Sequence, residues 1–120
     1  MVSAASSPSG AWAVSAVRRD DELASPIAGT ALTADFEPGR VSGSAGCNRY
    51  TAAYSASDTE LCFSVAASTR MFCADPPGVM EQEAAFLAAL AEVVSFRLAD
   101  DSLQLLDVAG NVLVTLDRPG

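Results

Sequence analysis

The sequence contains no histidine and no lysine, so all seven of its cations are arginines. The missing histidine removes the commonest general base and the commonest neutral metal ligand, and the missing lysine removes Schiff-base chemistry. The chain also has 15 acidic residues, so that its net charge is −8. Because affinity for nucleic acids comes mainly from cations that meet phosphates, this charge disfavours nucleic-acid binding.

Long apolar runs are also missing. No stretch approaches the roughly 20 apolar residues that a membrane-spanning helix needs, so we expect no transmembrane segment. The N-terminus has no positive region followed by an apolar run, so we do not interpret it as a signal peptide. Its small and polar side chains predict a flexible leader over residues 1–10. We expect the native targeting segment to be absent from this chain.

The sequence does contain enough apolar material for one folded domain. It has 120 residues, of which 50% are hydrophobic. Domains usually have about 100–150 residues, and a chain this apolar is not expected to be disordered. We therefore predict a single domain over residues 11–117, without internal repeats.

Alternation of apolar and polar residues predicts eight strands joined by short turns, and such turns make neighbouring strands antiparallel. In the first strand the apolar face is expected to carry Trp12, Val14 and Ala16, and the charged segment 18–22 is expected to be a loop. Cys62 is expected on the face opposite the apolar residues of its strand. The predicted strands lie at residues 11–17, 30–36, 40–45, 50–55, 61–65, 96–98, 103–105 and 112–116.

A helical period replaces the alternation between residues 79 and 94. The residues predicted to share its apolar face are Val79, Phe86, Leu87, Leu90 and Val94. Glu81 and Glu83 lie in or near the first turn, where the helix dipole favours anions. The fold class is therefore α+β, with a meandering, curled antiparallel sheet of about seven to eight strands packed with one α-helix.

The aromatic residues fall mostly at core positions of these elements. We therefore predict that they pack in the core rather than form a binding surface. They are Trp12, Phe36, Tyr50, Tyr54, Phe63, Phe72, Phe86 and Phe96.

Three cysteines are present, Cys47, Cys62 and Cys73, and an odd count leaves at least one unpaired if the others pair within the chain. Their spacing matches no zinc signature, and a closed site would need a fourth ligand from elsewhere. We expect no metal and no cofactor. An enzyme would have to use a cysteine, a serine or a carboxylate without a histidine partner. The adjacent Asp100 and Asp101 lie in a predicted turn and give little support to a paired-acid mechanism.

Two segments are denser in distinctive residues than a generic strand protein requires. Residues 39–50 read GRVSGSAGCNRY, which we call the first motif, and residues 69–73 read TRMFC, the second motif. Together with Trp12 and the acidic helix, they resemble the META domain, or HslJ-like, family over essentially residues 11–117. The family often has a glycine shortly after its NRY, where this chain has residues 51–53 (TAA), so we expect a different local turn there.

The resemblance implies a small bacterial envelope or secreted domain, often carried on lipoproteins and associated with stress. Members are linked to heat shock, antibiotic tolerance and, in some parasites, virulence, and no enzymatic activity is established for the family. We therefore expect a non-catalytic, monomeric interaction module that is periplasmic, envelope-associated or secreted. Its partner would be an unknown envelope protein or component.

Within the motifs, Cys47 and Cys73 have three possible roles: a structural disulfide, a pair of buried thiols, or a redox pair. A bridge between them would stabilise the fold by about 3.5 kcal/mol in the chain-entropy model. No role transfers to Cys62.

The candidate binding face consists of Gly46, Asn48, Arg49, Thr69 and Arg70. One interpretation gives Asn48 a turn and the two arginines buried salt bridges. The alternative is a small-ligand or anion site, in which the arginines join backbone amides of residues 46–48 in a concave nest.

Overall fold

The computed structural model describes residues 8–19, 21–57 and 59–118. The predicted leader, residues 1–10, falls mostly outside these ranges; of its last residues, Pro8 is buried and Gly10 begins the first strand. The strands are β1 (Gly10–Arg19), β2 (Glu22–Ala24), β3 (Thr33–Glu37), β4 (Arg40–Ser44), β5 (Arg49–Ser57), β6 (Glu60–Phe63), β7 (Ala67–Ser68), β8 (Ser95–Ala99), β9 (Ser102–Leu106) and β10 (Val112–Asp117). One helix, α1 (Val79–Glu92), lies between β7 and β8 in the described part of the chain.

The sheet is a closed barrel, whereas the sequence predicted a curled sheet. Within the described residues, eight strands form a ring in the order β1-β3-β4-β5-β6-β8-β9-β10, and β10 pairs back onto β1. Every pairing is antiparallel, as expected from the short turns. The prediction missed the closure because alternation identifies the buried face of each strand but not which strands meet at the two ends of the series.

Closure depends on the length of β1. Residues Gly10–Ala13 pair with β3, and residues Ala13–Val17 pair with β10. The register of the β1–β10 pair shifts between Val14 and Ala16. A bulge of this kind moves the following side chains to the opposite face, so Val17 is buried and the prediction of Ala16 on the core face was wrong.

The segment that follows β1 is a hairpin and not the predicted charged loop. β1 continues to Arg19, and β2 pairs back along residues 17–19. Asp21 takes the turn with a positive φ of 69°, a conformation that aspartate tolerates better than most residues. The sequence analysis missed β2 because this segment is charged and the strand packs little apolar surface.

The barrel interior and the inner face of α1 form one apolar core. Tyr50 and Phe86 meet edge to face, with ring centroids 5.5 Å apart, and so join β5 to the helix. The helix ends two residues earlier than predicted, so Val93 is buried and Val94 is 44% exposed. Other core members, all buried, are Trp12, Val14, Val17, Leu32, Ala34, Phe36, Val41, Leu61, Leu90, Phe96, Leu103, Leu105, Val114 and Leu116.

Two further apolar residues are exposed. Val65, at the end of the predicted strand 61–65, is 92% exposed because β6 ends at Phe63. Phe72, which was predicted to lie in the core, is 80% exposed in the segment before α1. The predicted orientation of Cys62 is confirmed, since Leu61 is buried and Cys62 is exposed. β5 runs without interruption through residues 51–53, and none of these residues has a positive φ.

Gly43 marks a close approach of two strands. An added Cβ at this position would lie 2.3 Å from the backbone carbonyl oxygen of Thr33. Since the clash would be with backbone, no side-chain rotation can relieve it.

No helix in the described part of the chain is long and apolar enough to span a membrane.

Candidate functional site

Asn48 is the centre of the site, and it is buried. Its side-chain oxygen accepts hydrogen bonds from the Thr69 hydroxyl (2.8 Å) and the Met71 amide (2.7 Å). Its side-chain nitrogen donates to the Met71 carbonyl at 3.1 Å. One asparagine from the first motif therefore holds the backbone of the second motif in place.

Glu83 on α1 completes the network. Its carboxylate accepts from the backbone amides of Cys47 (3.1 Å) and Asn48 (2.8 Å) and from the Asn48 side-chain nitrogen (2.7 Å). Gly46, with φ of +113°, supplies the backbone conformation that precedes these two amides. The amides do form a nest for an anion, but the anion is the protein's own carboxylate.

The neighbouring helical residue, Gln82, is buried as well and ties α1 to the opposite loop. Its side-chain oxygen accepts from the Ile27 amide at 2.7 Å, and its nitrogen donates to the Thr30 hydroxyl at 3.1 Å. Gln82 and Glu83 thus fix the N-terminal half of the helix between two loops.

The segment of residues 69–73, which we call loop 69–73, is held at three alternate positions. Thr69 and Met71 bind Asn48, as described, and Cys73 forms a disulfide with Cys47, with Cα atoms 5.9 Å apart. The Thr69 hydroxyl also accepts from the amide of Arg49 at 3.2 Å. The residues between these attachments, Arg70 and Phe72, are exposed. The backbone of the loop is therefore fixed, while the side chains of Arg70, Met71 and Phe72 are exposed.

The structure brings together Gly46, Asn48 and Thr69 with the two cysteines, but it leaves the arginines on the surface. Arg49 and Arg70 are both exposed, so neither forms the buried salt bridge that one interpretation assigned to it. They line separate depressions of about 390 Å³ and about 360 Å³, which share Ser68 and Thr69. The two guanidinium groups therefore do not converge on the amides of residues 46–48.

Tyr50 is the last residue of the first motif, and its side chain is buried. Its hydroxyl donates to the Thr33 carbonyl at 2.7 Å. Burial raises the pKa of Tyr50 well above its ordinary value of 10.0, and the charge of Arg49 opposes this rise. The phenol is therefore a neutral structural donor at physiological pH.

Sequence reasoning missed the role of Glu83, although a signal was present. Val79, Glu83, Phe86 and Leu90 are spaced along one face of the helix, and all four are buried. A carboxylate inside an apolar stripe requires polar partners, because an unpaired buried charge is costly. Its partner, 35 residues earlier in the chain, could not be identified from that spacing.

No group of three or more His, Cys, Asp or Glu side chains in the described residues is placed to hold a metal ion. The third cysteine, Cys62, lies apart from the motifs on β6, with its sulfur 3.3 Å from the Ser55 hydroxyl.

These features define a class of small antiparallel barrel that is packed by one helix and carries a disulfide-linked loop fixed by a buried asparagine. A model of the META domain family matches residues 6–120. The chain belongs to the META domain family, and the resemblance seen in its two motifs is confirmed.

Solved structures share the fold. A protein from Burkholderia xenovorans, determined by NMR, is 30% identical with a TM-score of 0.72, and the match covers 92% of this chain and 81% of that one. A second protein determined by NMR is 23% identical, with a TM-score of 0.66 and coverage of 98% and 95%. A DUF4847 family protein from Bacteroides vulgatus is 13% identical, with a TM-score of 0.61 and coverage of 92% and 93%. No curated protein matches the sequence significantly.

Proposed function

We propose that this protein is a non-catalytic interaction module of the bacterial envelope, or a secreted one. It binds a protein or another envelope component through its motif face, by which we mean the candidate binding face of Gly46, Asn48, Arg49, Thr69 and Arg70. The observation that carries the proposal is that buried polar groups of the two motifs form hydrogen bonds within the protein. Asn48 binds Glu83, Thr69 and the backbone of Met71, and the loop leaves Arg70 and Phe72 exposed. A catalytic constellation would instead direct its polar groups toward a substrate.

The disulfide and the family support the proposed compartment. Disulfides persist in oxidising compartments such as the periplasm and the extracellular space, and the Cys47–Cys73 bridge lies at the centre of the site. An envelope or secreted location, as the family resemblance implies, is consistent with this bridge. We propose that the protein acts there as a monomer, without a cofactor and without nucleic acid, which its net charge of −8 would repel.

A pull-down from envelope extract of the native host tests the proposal. The bait is the wild-type protein beside an Arg49→Ala/Arg70→Ala variant. A matched control, Arg40→Ala/Arg97→Ala, removes the same charge from exposed positions on β4 and β8. Arg40 belongs to the first motif by sequence, but neither arginine of the control is part of the candidate binding face. All baits must first show equal melting temperatures. A partner lost only with the motif variant supports the proposal, and equal capture by every bait contradicts a role for the motif face.

The alternative function is a small-ligand or anion-binding domain. It rests on the exposed Arg49 and Arg70, since Glu83 already occupies the amides of Cys47 and Asn48. A ligand that binds only the folded state raises the melting temperature. An anion panel that raises it in the wild type, but not in the Arg49→Ala/Arg70→Ala variant, would favour this alternative. An unchanged melting temperature across the panel would count against it.

A further inference from the structure

The exposed side chains of loop 69–73 form an apolar surface beside a positive charge. Phe72 is 80% exposed and Met71 is 56% exposed. Arg70 and Met80 line the same depression as these two residues. Aromatic residues, methionine and arginine are the types enriched at protein interfaces over the rest of the surface. The exposed residues of this loop are therefore of the types that are enriched at protein interfaces.

The loop is also fixed before any partner arrives. Both backbone groups of Met71 bind Asn48, at 2.7 Å and 3.1 Å. Cys73, the residue after Phe72, is covalently joined to Cys47. Association is penalised by the freedom that interface groups lose on binding. A loop that is already fixed loses little, so the exposed phenyl ring is suited to act as a preorganised contact.

The charge of the loop limits the kind of partner. The chain as a whole carries −8, so a strongly acidic partner is repelled by most of its surface. Arg70 is the one charged side chain within loop 69–73, and it is exposed and attracts carboxylates locally. Of the neighbouring acidic residues, Glu83 is buried and bound to Asn48, and Asp75 is exposed two residues beyond the loop. A projecting phenyl ring requires a concave apolar counterpart. An anionic lipid surface fits less well, because the acidic remainder of the molecule opposes approach.

We propose that loop 69–73 docks into a partner protein that offers an apolar socket for Phe72, with carboxylates at its rim for Arg70. This inference rests on the proposed function, since it names the surface and the partner chemistry of the same interaction module. Phe72 would be the dominant contact of the interface, and Arg70 would orient the partner.

Photo-cross-linking tests the proposal in extract of the native host. Benzoylphenylalanine replaces exposed Ala74, which leaves the loop side chains intact, and in a control bait it replaces Val108, which is 87% exposed in another turn. Cross-linked peptides are identified by mass spectrometry. We expect a partner captured from position 74 and not from position 108, with Asp or Glu close to the cross-linked residue. Capture should weaken as the salt concentration rises.

Binding to the captured partner is then measured with purified variants of equal melting temperature. Phe72→Ser should weaken binding by about 30-fold or more, as expected of a dominant interface residue. Arg70→Glu should also weaken it, and Arg70→Lys should retain most of it. Val65→Ser, which removes an apolar side chain that is 92% exposed elsewhere, should have no effect.

The outcomes separate the surface from the function. If a partner binds Phe72→Ser as tightly as wild type, the docking surface is wrong and the interaction module survives. If wild type captures nothing, both are contradicted. A cross-linked segment rich in Lys or Arg would overturn the proposed partner chemistry. Co-sedimentation with phosphatidylglycerol vesicles that Phe72→Ser abolishes would replace the protein partner with a membrane.

Discussion

Replacing Glu83 with alanine tests whether this carboxylate holds the two motifs against the helix. The change leaves three donors without their acceptor: the amides of Cys47 and Asn48 and the side-chain nitrogen of Asn48. A buried donor that loses its partner costs about 1–3 kcal/mol. The side-chain nitrogen of Asn48 still donates to the Met71 carbonyl, and Cys47 is only half-buried. We therefore expect a cost of about 1 kcal/mol for each of these two donors, the low end of the range.

With about 1 kcal/mol for each of these two donors and about 2 kcal/mol for the backbone amide of Asn48, the expected loss is about 4 kcal/mol in the free energy of unfolding. This is a large share of the roughly 5–15 kcal/mol that stabilises a typical domain. For a domain of this size, it corresponds to a fall of about 15 °C in the melting temperature. Glu83→Gln should lose less, about 1–2 kcal/mol, because one oxygen remains for the two backbone amides while the new amide group faces the donor of Asn48.

Urea denaturation followed by circular dichroism measures these differences. The control is Glu81→Ala, an exposed residue in the first turn of the same helix, which should cost less than about 1 kcal/mol through the helix dipole. Hydrogen exchange at residues 69–73 should rise in Glu83→Ala, because Asn48 loses the group that orients it. If Glu83→Ala proves no more destabilising than Glu81→Ala, our account of the buried network is refuted.

Three further perturbations have expected outcomes. Cys47→Ala should lower the stability of oxidised protein by about 3.5 kcal/mol, while Cys62→Ala should not; equal losses in thermal melts would argue against the bridge. Gly43→Ala should cost about 3 kcal/mol through its backbone clash, whereas Gly39→Ala, with open space but φ of +79°, should cost about 1 kcal/mol; equal costs would contradict the close approach. Hydrogen bonds from the backbone of Asn111 hold the pKa of Asp107 below its ordinary value of 3.8. Since the folded-state pKa is the lower one, this stabilisation is present above pH 3.8 and is lost as the pH falls through the folded value, so the stability difference between wild type and Asp107→Ala should vanish in acid. A difference that persists below that pKa would contradict this origin.

Much of the architecture was accessible from the sequence because each barrel strand has a buried side. The eight predicted strands correspond to the eight strands of the ring, and the predicted helix differs from α1 only at its C-terminal end. Closure of the ring was not accessible, since no local pattern records that Val14 lies opposite Leu116. The bulge after Val14 likewise changes which residues face inward without leaving a mark on the alternation.

The candidate site was predicted in part. The motifs located Asn48 and Thr69, which bond to each other, and Cys47 and Cys73, which the structure joins. The prediction that Phe72 packs in the core with the other aromatic residues was wrong. Phe72 lies in none of the predicted strands, in a segment whose backbone is fixed by Asn48 and the disulfide and not by a strand partner. The sequence suggested a nest of backbone amides for an anion, and the amides of Cys47 and Asn48 do bind a carboxylate. This carboxylate is that of Glu83, on a helix whose position in the fold cannot be derived from residue spacing.

The pairing of β1 with β10 has a consequence for how the chain folds. The Ser15 and Thr115 hydroxyls, 100 positions apart, lie 2.7 Å from each other across this seam. Contacts of such long sequence separation form slowly, typically over milliseconds to seconds in all-β domains. The single tryptophan, Trp12, precedes the first residue of this seam, Ala13, and the guanidinium of Arg118, the residue after β10, lies 3.8 Å from its ring centre. Its fluorescence should therefore report the joining of the first and last strands, separately from the earlier formation of the hairpins seen by far-ultraviolet circular dichroism.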